Sequence, residues 1–154
     1  MAVHSAELTL GRTFGVTFEH GDELMTSLVD FCAEQGIKYG YIPMFIGAFS
    51  HAKVAGTCRH ADAQAPMFDS HVDVDYAETV GTGTLAYDSE TERVSPHIHL
   101  SLGKRLHSAD GVTSHLFEAK VQFLLEMVVV EVLAPQWTRP VNAELFDLRL
   151  LKFG

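Results

Sequence analysis

For most of its length this chain alternates apolar and polar residues, and one stretch departs to helical spacing. Leu8 and Leu10, then Phe14, Val16 and Phe18, predict one or two strands over residues 7–18, with a break at Gly11-Arg12. Glu19-His20-Gly21-Asp22 reads as a turn that offers Asp22 as the N-cap of the next element. Leu24, Leu28, Phe31 and Cys32 recur at helical spacing, so an amphipathic helix is expected over residues 23–35, ended by Gly36. Residues 37–54, with Tyr39, Tyr41, Ile42, Phe45, Ile46 and Phe49, read as two strands bent at Gly47.

A polar segment over residues 56–70, carrying His60, Asp62, Gln64 and Pro66, is expected to be a mobile loop. Residues 72–87 are strand-rich, and Thr79-Val80-Gly81-Thr82-Gly83-Thr84 is a run of small residues suited to close backbone packing. Asp88-Ser89-Glu90-Thr91 is a hairpin turn, and residues 105–114 read as a loop. Residues 120–133 are so β-branched that a strand is favoured over a helix. Apolar character on both faces puts that strand at the centre of a sheet or at a subunit interface. Residues 135–140 read as a loop and 144–153 as a closing strand. No repeat, low-complexity tract or linker divides residues 1–154, so a single domain of α+β class is expected.

Between these elements lies the segment with the clearest chemistry. In Ser95-Pro96-His97-Ile98-His99-Leu100-Ser101-Leu102-Gly103 the alternation is strict. Ile98, Leu100 and Leu102 share one face, and His97, His99 and Ser101 the other. Two imidazoles at i and i+2 of a strand are side by side and can share one metal ion. His115, brought back by the chain, would complete a three-histidine site with an open coordination position, the layout of catalytic zinc.

Composition narrows the setting. A chain of 154 residues with 47% hydrophobic content and five prolines has the makings of one packed core. Lys and Arg number 11 against 20 Asp and Glu, a formal net charge of −9. Such a chain repels phosphate backbones at long range unless its basic residues cluster. Only Lys104 and Arg105 are adjacent, so nucleic acid is disfavoured as a partner of the bare domain. Cys32 and Cys58 make no C-x-x-C pair and are expected to be reduced thiols. The N-terminal residues lack a signal-peptide pattern, and the longest apolar run, residues 123–133, contains Glu126 and Glu131. A soluble cytoplasmic protein with no membrane partner is expected.

The order of the motifs then resembles a known family. Gly21-Asp22-Glu23-Leu24, Phe45-Ile46-Gly47-Ala48-Phe49-Ser50, Glu78-Thr79-Val80-Gly81-Thr82-Gly83, the histidine strand, and Ser114-His115-Leu116-Phe117-Glu118 follow one another over nearly the whole chain. They resemble the plant-and-prokaryote-conserved (PPC) domain, which in plant nuclear proteins follows AT-hook segments. The resemblance implies an α+β domain on an antiparallel sheet, assembled as a homotrimer. It also implies that a strand His-x-His joins a later histidine, in some relatives around a metal. In those relatives the later histidine sits in Gly-Gly-His-Leu; here the motif reads Thr113-Ser114-His115-Leu116. A more distant similarity, in the same histidine arrangement, is to acetolactate decarboxylase, a zinc enzyme.

From this reading His97, His99 and His115 are the expected ligands of zinc or another divalent transition metal. Glu118, three residues after His115, is the candidate catalytic carboxylate, orienting a ligand imidazole or moving protons at a metal-bound water. A surface carboxylate is the competing reading. His51 is read as a surface residue at a strand end, and His20, His60, His71 and His107 as turn or loop residues. Three functions are carried forward. The first is a metal-holding module for binding or regulation, with a small-molecule ligand or with copies of itself. The second is a metal-dependent lyase or hydrolase using the same histidines. The third is a DNA-associated regulator, although no Arg-Gly-Arg-Pro hook occurs in the chain.

Overall fold

In the computed structural model, which describes residues 3–56 and 70–154, five long strands and one helix make the body of the domain. They run β1 (Thr9–Glu19), α1 (Leu24–Gln35), β2 (Gly40–Ala55), β3 (His71–Asp88), β4 (Arg93–Lys104) and β5 (His107–Ala134). The tail adds four two-residue strands, β6 (Trp137–Thr138), β7 (Val141–Asn142), β8 (Leu148–Arg149) and β9 (Lys152–Phe153). All pairings are antiparallel, in the order β1-β5-β2-β3-β4. β4 also pairs with β5, so β5, β2, β3 and β4 close into a small barrel-like sheet with β1 outside it.

The length of β5 makes this closure feasible. Its first part pairs with β4, its middle with β2 and its last part with β1. β5 therefore has neighbouring strands along both edges, and from it Val121, Leu125, Met127 and Val129 reach the core. α1 packs against β4 and β5. Leu24, Leu28 and Cys32, one turn apart, are fully buried with Phe45, Phe49, Ile98 and Leu102. Each buried leucine contributes about 2 kcal/mol of apolar burial. The Cys32 thiol is pushed up to about 11 by desolvation, so it is a packed, protonated group. No helix among the described residues is long and apolar enough to cross a membrane.

Several expectations are corrected. Asp22 does not cap α1: its Oδ2 accepts from the Glu19 N–H at 2.8 Å, closing the preceding turn, and Glu23 holds the N-cap position without a side-chain bond. At the other end Gly36 does terminate the helix, in the left-handed conformation at φ 69°. The break at Gly11-Arg12 is a register shift within one strand. It lets the Arg12 guanidinium pair with Glu131 at 2.8 Å and hold that carboxyl below its ordinary range. Residues 37–54 contain one strand, not two. Gly47 bends it at φ 157°, where a Cβ would stand 2.6 Å from the Leu124 carbonyl oxygen.

Residues 107–114 are strand rather than loop, because β4 needs a partner on its open side and β5 extends back to supply it. Residues 144–153 are not one closing strand. Phe146 and Asp147 have positive φ, which divides the segment into a 3-10 turn (Ala143–Leu145), β8 and β9. The loop expected over residues 56–70, with Cys58 and His60, falls almost wholly outside the described residues.

One further contact shapes the site. Trp137 is buried with Ala86 and Val132, and its indole N–H donates to the Leu85 carbonyl at 2.7 Å. This anchor holds the tail against Leu85 on β3, beside the part of β4 that carries His97.

Candidate metal centre

The three histidines expected to act together do meet. On β4, His97 and His99 are on the face opposite the buried Ile98 and Leu100. On β5, His115 stands directly across from His99 in the β4–β5 register. A cross-strand pair and an i, i+2 pair therefore converge on one patch. The ring centroids are 5.1 Å apart for His97–His99, 4.9 Å for His97–His115 and 5.4 Å for His99–His115. One donor nitrogen from each ring lies within 4.8 Å of the others. On tetrahedral zinc, with bonds of about 2.0–2.1 Å, ligand nitrogens stand roughly 3.4 Å apart. Small side-chain rotations close that difference, so the donor set fits an ion of this class.

The electrostatics favour neutral rings. The His97 imidazole, though partly open to solvent, is pushed down to about 4. Desolvation is the main cause, followed by the charges of His115, Arg139 and His99. His115 is also lowered, by desolvation and then by His99 and Arg139. A neutral imidazole keeps a lone pair for a metal, whereas an imidazolium has none. The β3 residues opposite these histidines, Thr84 at His97 and Thr82 at His99, are small enough to leave that face open.

Beside the rings is a cavity of about 300 Å³, bordered by Pro96, His97, His115, Arg139, Leu148 and Leu150. Arg139 was not singled out in the sequence. It sits in the tail just after β6, and no periodicity or motif marks it. Its Nη1 donates to the Ser95 carbonyl at 2.6 Å, and its Nη2 to the Thr84 carbonyl at 3.2 Å and to the Thr84 hydroxyl.

The other candidates are placed elsewhere. Glu118 follows a β-bulge on β5 and makes a 3.4 Å ion pair with Lys53 on β2, with its side chain 58% exposed. His51 is in mid-strand rather than at a strand end, with Nδ1 2.8 Å from Asp75 and Nε2 3.4 Å from Asp73. Its partner Asp75 is nine positions along β3 from Thr84, at the far end of the sheet. His71 pairs with Asp73 at 3.3 Å, and His20 Nδ1 accepts from the Phe123 N–H at 3.2 Å.

Comparison with known proteins agrees with this architecture. A PPC protein of Pyrococcus horikoshii superimposes with a TM-score of 0.79 at 21% identity, covering 96% of this chain and 97% of that one. A metal-containing protein from Archaeoglobus fulgidus gives 0.77 at 22% identity, covering 97% and 99%. A candidate DNA-binding protein of Bacteroides thetaiotaomicron gives 0.71 at 22% identity, covering 95% and 97%. At these identities the likeness establishes the fold. A weaker likeness, to acetolactate decarboxylase of Bacillus subtilis, has a TM-score of 0.49 and carries no argument about chemistry. No curated protein matches the sequence. Residues 5–133, which include all three histidines, match the family model, and the chain belongs to the Plants and Prokaryotes Conserved (PCC) domain family.

Proposed function

We propose that this protein is a metal-holding module in which His97, His99 and His115 bind one zinc-like divalent ion and keep a further coordination position open. The observation that carries this reading is the convergence of three imidazole donors within 4.8 Å on one face of the barrel. The lowered His97 and His115 support it, since both rings are held in the ligand form at neutral pH. The metal-containing relative from Archaeoglobus fulgidus supports it as well. Metal analysis of protein purified without chelator is expected to find about one divalent transition-metal ion per chain. Protein that is folded, metal-free and unable to take up zinc in dialysis would sink the reading.

A metal-dependent enzyme on the same site is the second reading, favoured by the cavity beside His97 and His115. A three-histidine ion with an open position can polarise a carbonyl or activate water. Glu118 would need to leave Lys53 to take part in such a reaction. DNA association has less support. The net charge is −9, and Arg12, Arg93, Arg149, Lys53 and Lys120 already face carboxylates.

We further propose that the chain assembles as a homotrimer. Ile46 and Val80, cross-strand neighbours on β2 and β3, are 44% and 54% exposed and offer an apolar strip for copies to cover. Sedimentation velocity is expected to show a species of three times 17.0 kDa. A species of single-chain mass at micromolar concentration would exclude it.

A further inference from the structure

Arg139 differs from Arg12, Arg93 and Arg149. Arg12 has Glu131, Arg93 has Asp30, and Arg149 has Asp88 and Glu90. Arg139 is more enclosed than any of these, yet it makes no ion pair among the described residues. Its partners are neutral: the carbonyls of Ser95 and Thr84 and the Thr84 hydroxyl. Its Nε–H is buried without a hydrogen-bond partner. Arg149 also borders the cavity, but its charge is already balanced.

A cation withdrawn from water without a counter-ion is a standing cost to the fold. Here that cost falls beside His97 and His115, rings that are neutral or cationic and so carry no compensating negative charge. The guanidinium is pinned through Nη1 and Nη2 to the backbone on both sides of His97, since Ser95 precedes it on β4 and Thr84 pairs with it from β3. Its charge is therefore held at a fixed place relative to the metal ligands. With Nη1 and Nη2 already engaged on Ser95 and Thr84, what the guanidinium presents is a fixed positive charge and the remaining Nη1 hydrogen, both suited to an oxyanion. Pro96, Leu148 and Leu150 supply apolar wall, and about 300 Å³ admits a small molecule but not a macromolecular segment of any size.

We propose that this cavity binds a small carboxylate with a short apolar body, its anion facing Arg139 and its far end reaching toward the ion on His97, His99 and His115. The inference rests on the metal reading for the second contact and on Arg139 alone for the first. It also assigns a role to the tail: Arg139 lies beyond residues 5–133, so this part of the site is built by the segment that Trp137 anchors.

The test is protein-observed NMR on the full chain, titrated with butyrate, its neutral counterpart butyramide, and inorganic phosphate. Each is run on zinc-loaded and on chelator-stripped protein. Butyrate is expected to shift the Arg139 Nε–H and the His97 amide with an affinity roughly tenfold above that of butyramide and above that of phosphate. In stripped protein the preference for butyrate persists at lower affinity. In Arg139→Met it disappears, while Arg139→Lys, which keeps the charge but loses the bonds that fix its place, retains part of it. Equal affinity of butyrate and butyramide in the native sequence overturns the proposal whether or not the variants fold. Phosphate binding more tightly than butyrate overturns the carboxylate assignment. If zinc does not bind but the butyrate preference holds in stripped protein, the metal reading alone fails; if zinc binds and butyrate shows no preference, this inference alone fails.

Discussion

The His97→Ala, His99→Ala double variant is expected to fall from about one divalent ion per chain to none measurable, while remaining folded. Two of three ligands are removed, and a single imidazole with water does not hold a transition metal through dialysis. The fold should persist because both side chains project from the outer face of β4, and the inward Ile98, Leu100 and Leu102 are untouched. Metal analysis beside thermal unfolding of the stripped proteins checks both halves. An undiminished ion in the folded double variant would place the metal elsewhere.

The same variant should change the response to pH. His97 has its folded value at about 4, below the ordinary 6.5 that it regains on unfolding. Between those values the unfolded chain binds the proton and the folded one does not, so stability rises with pH across the interval. The contribution is complete above about 6.5 and is lost as pH falls toward 4. His115, shifted in the same direction, adds to the effect. Metal-free native protein should therefore lose melting temperature more steeply between pH 6.5 and pH 4 than the double variant does. Parallel slopes would show that the rings are not held neutral by their surroundings.

The second large effect is expected from a single methyl group. Gly81→Ala would place a Cβ 2.2 Å from Cζ and 2.5 Å from Cε1 of Phe45, and 2.9 Å from the His99 carbonyl oxygen. Phe45 is fully buried and cannot swing into solvent, and the His99 carbonyl belongs to the β3–β4 ladder. Overpacking of this kind costs about 3 kcal/mol, or roughly 10 °C in melting temperature for a domain of this size. Because Gly81 is next to Thr82, which faces His99, the variant should also weaken metal uptake. A melting temperature within a degree or two of the native value would show that β3 and β2 are less closely packed than described. Gly15→Ala, with nothing within 4 Å of its added Cβ, is the matched control.

Much of the centre was legible in the sequence. Strict alternation over residues 95–103 put His97 and His99 on one face, and the β4 burial pattern agrees. The run of small residues around Gly81 announced a close approach, and the Phe45 ring is what approaches. Apolar character on both sides of residues 120–133 pointed to a central strand or a subunit interface, and β5 lies between β1 and β2. Errors arose where local pattern and long-range pairing diverge. Residues 107–114 carry loop-like composition, yet β4 requires a partner there and β5 provides it. Residues 144–153 alternate like a strand, but no neighbouring strand of matching length exists, and the backbone turns at Phe146 and Asp147.

Sequence alone determined the candidate histidines, the face that carries two of them, the helix with its glycine stop, and the family order of motifs. Each depends on spacing along the chain, which local periodicity encodes. Tertiary structure decided the rest. The β4–β5 register set His115 opposite His99, the ion pair with Lys53 engaged Glu118, and the Trp137 anchor brought Arg139 beside His97. Those placements come from pairings between residues up to 65 positions apart, as in the Lys53–Glu118 ion pair, and no local pattern records them.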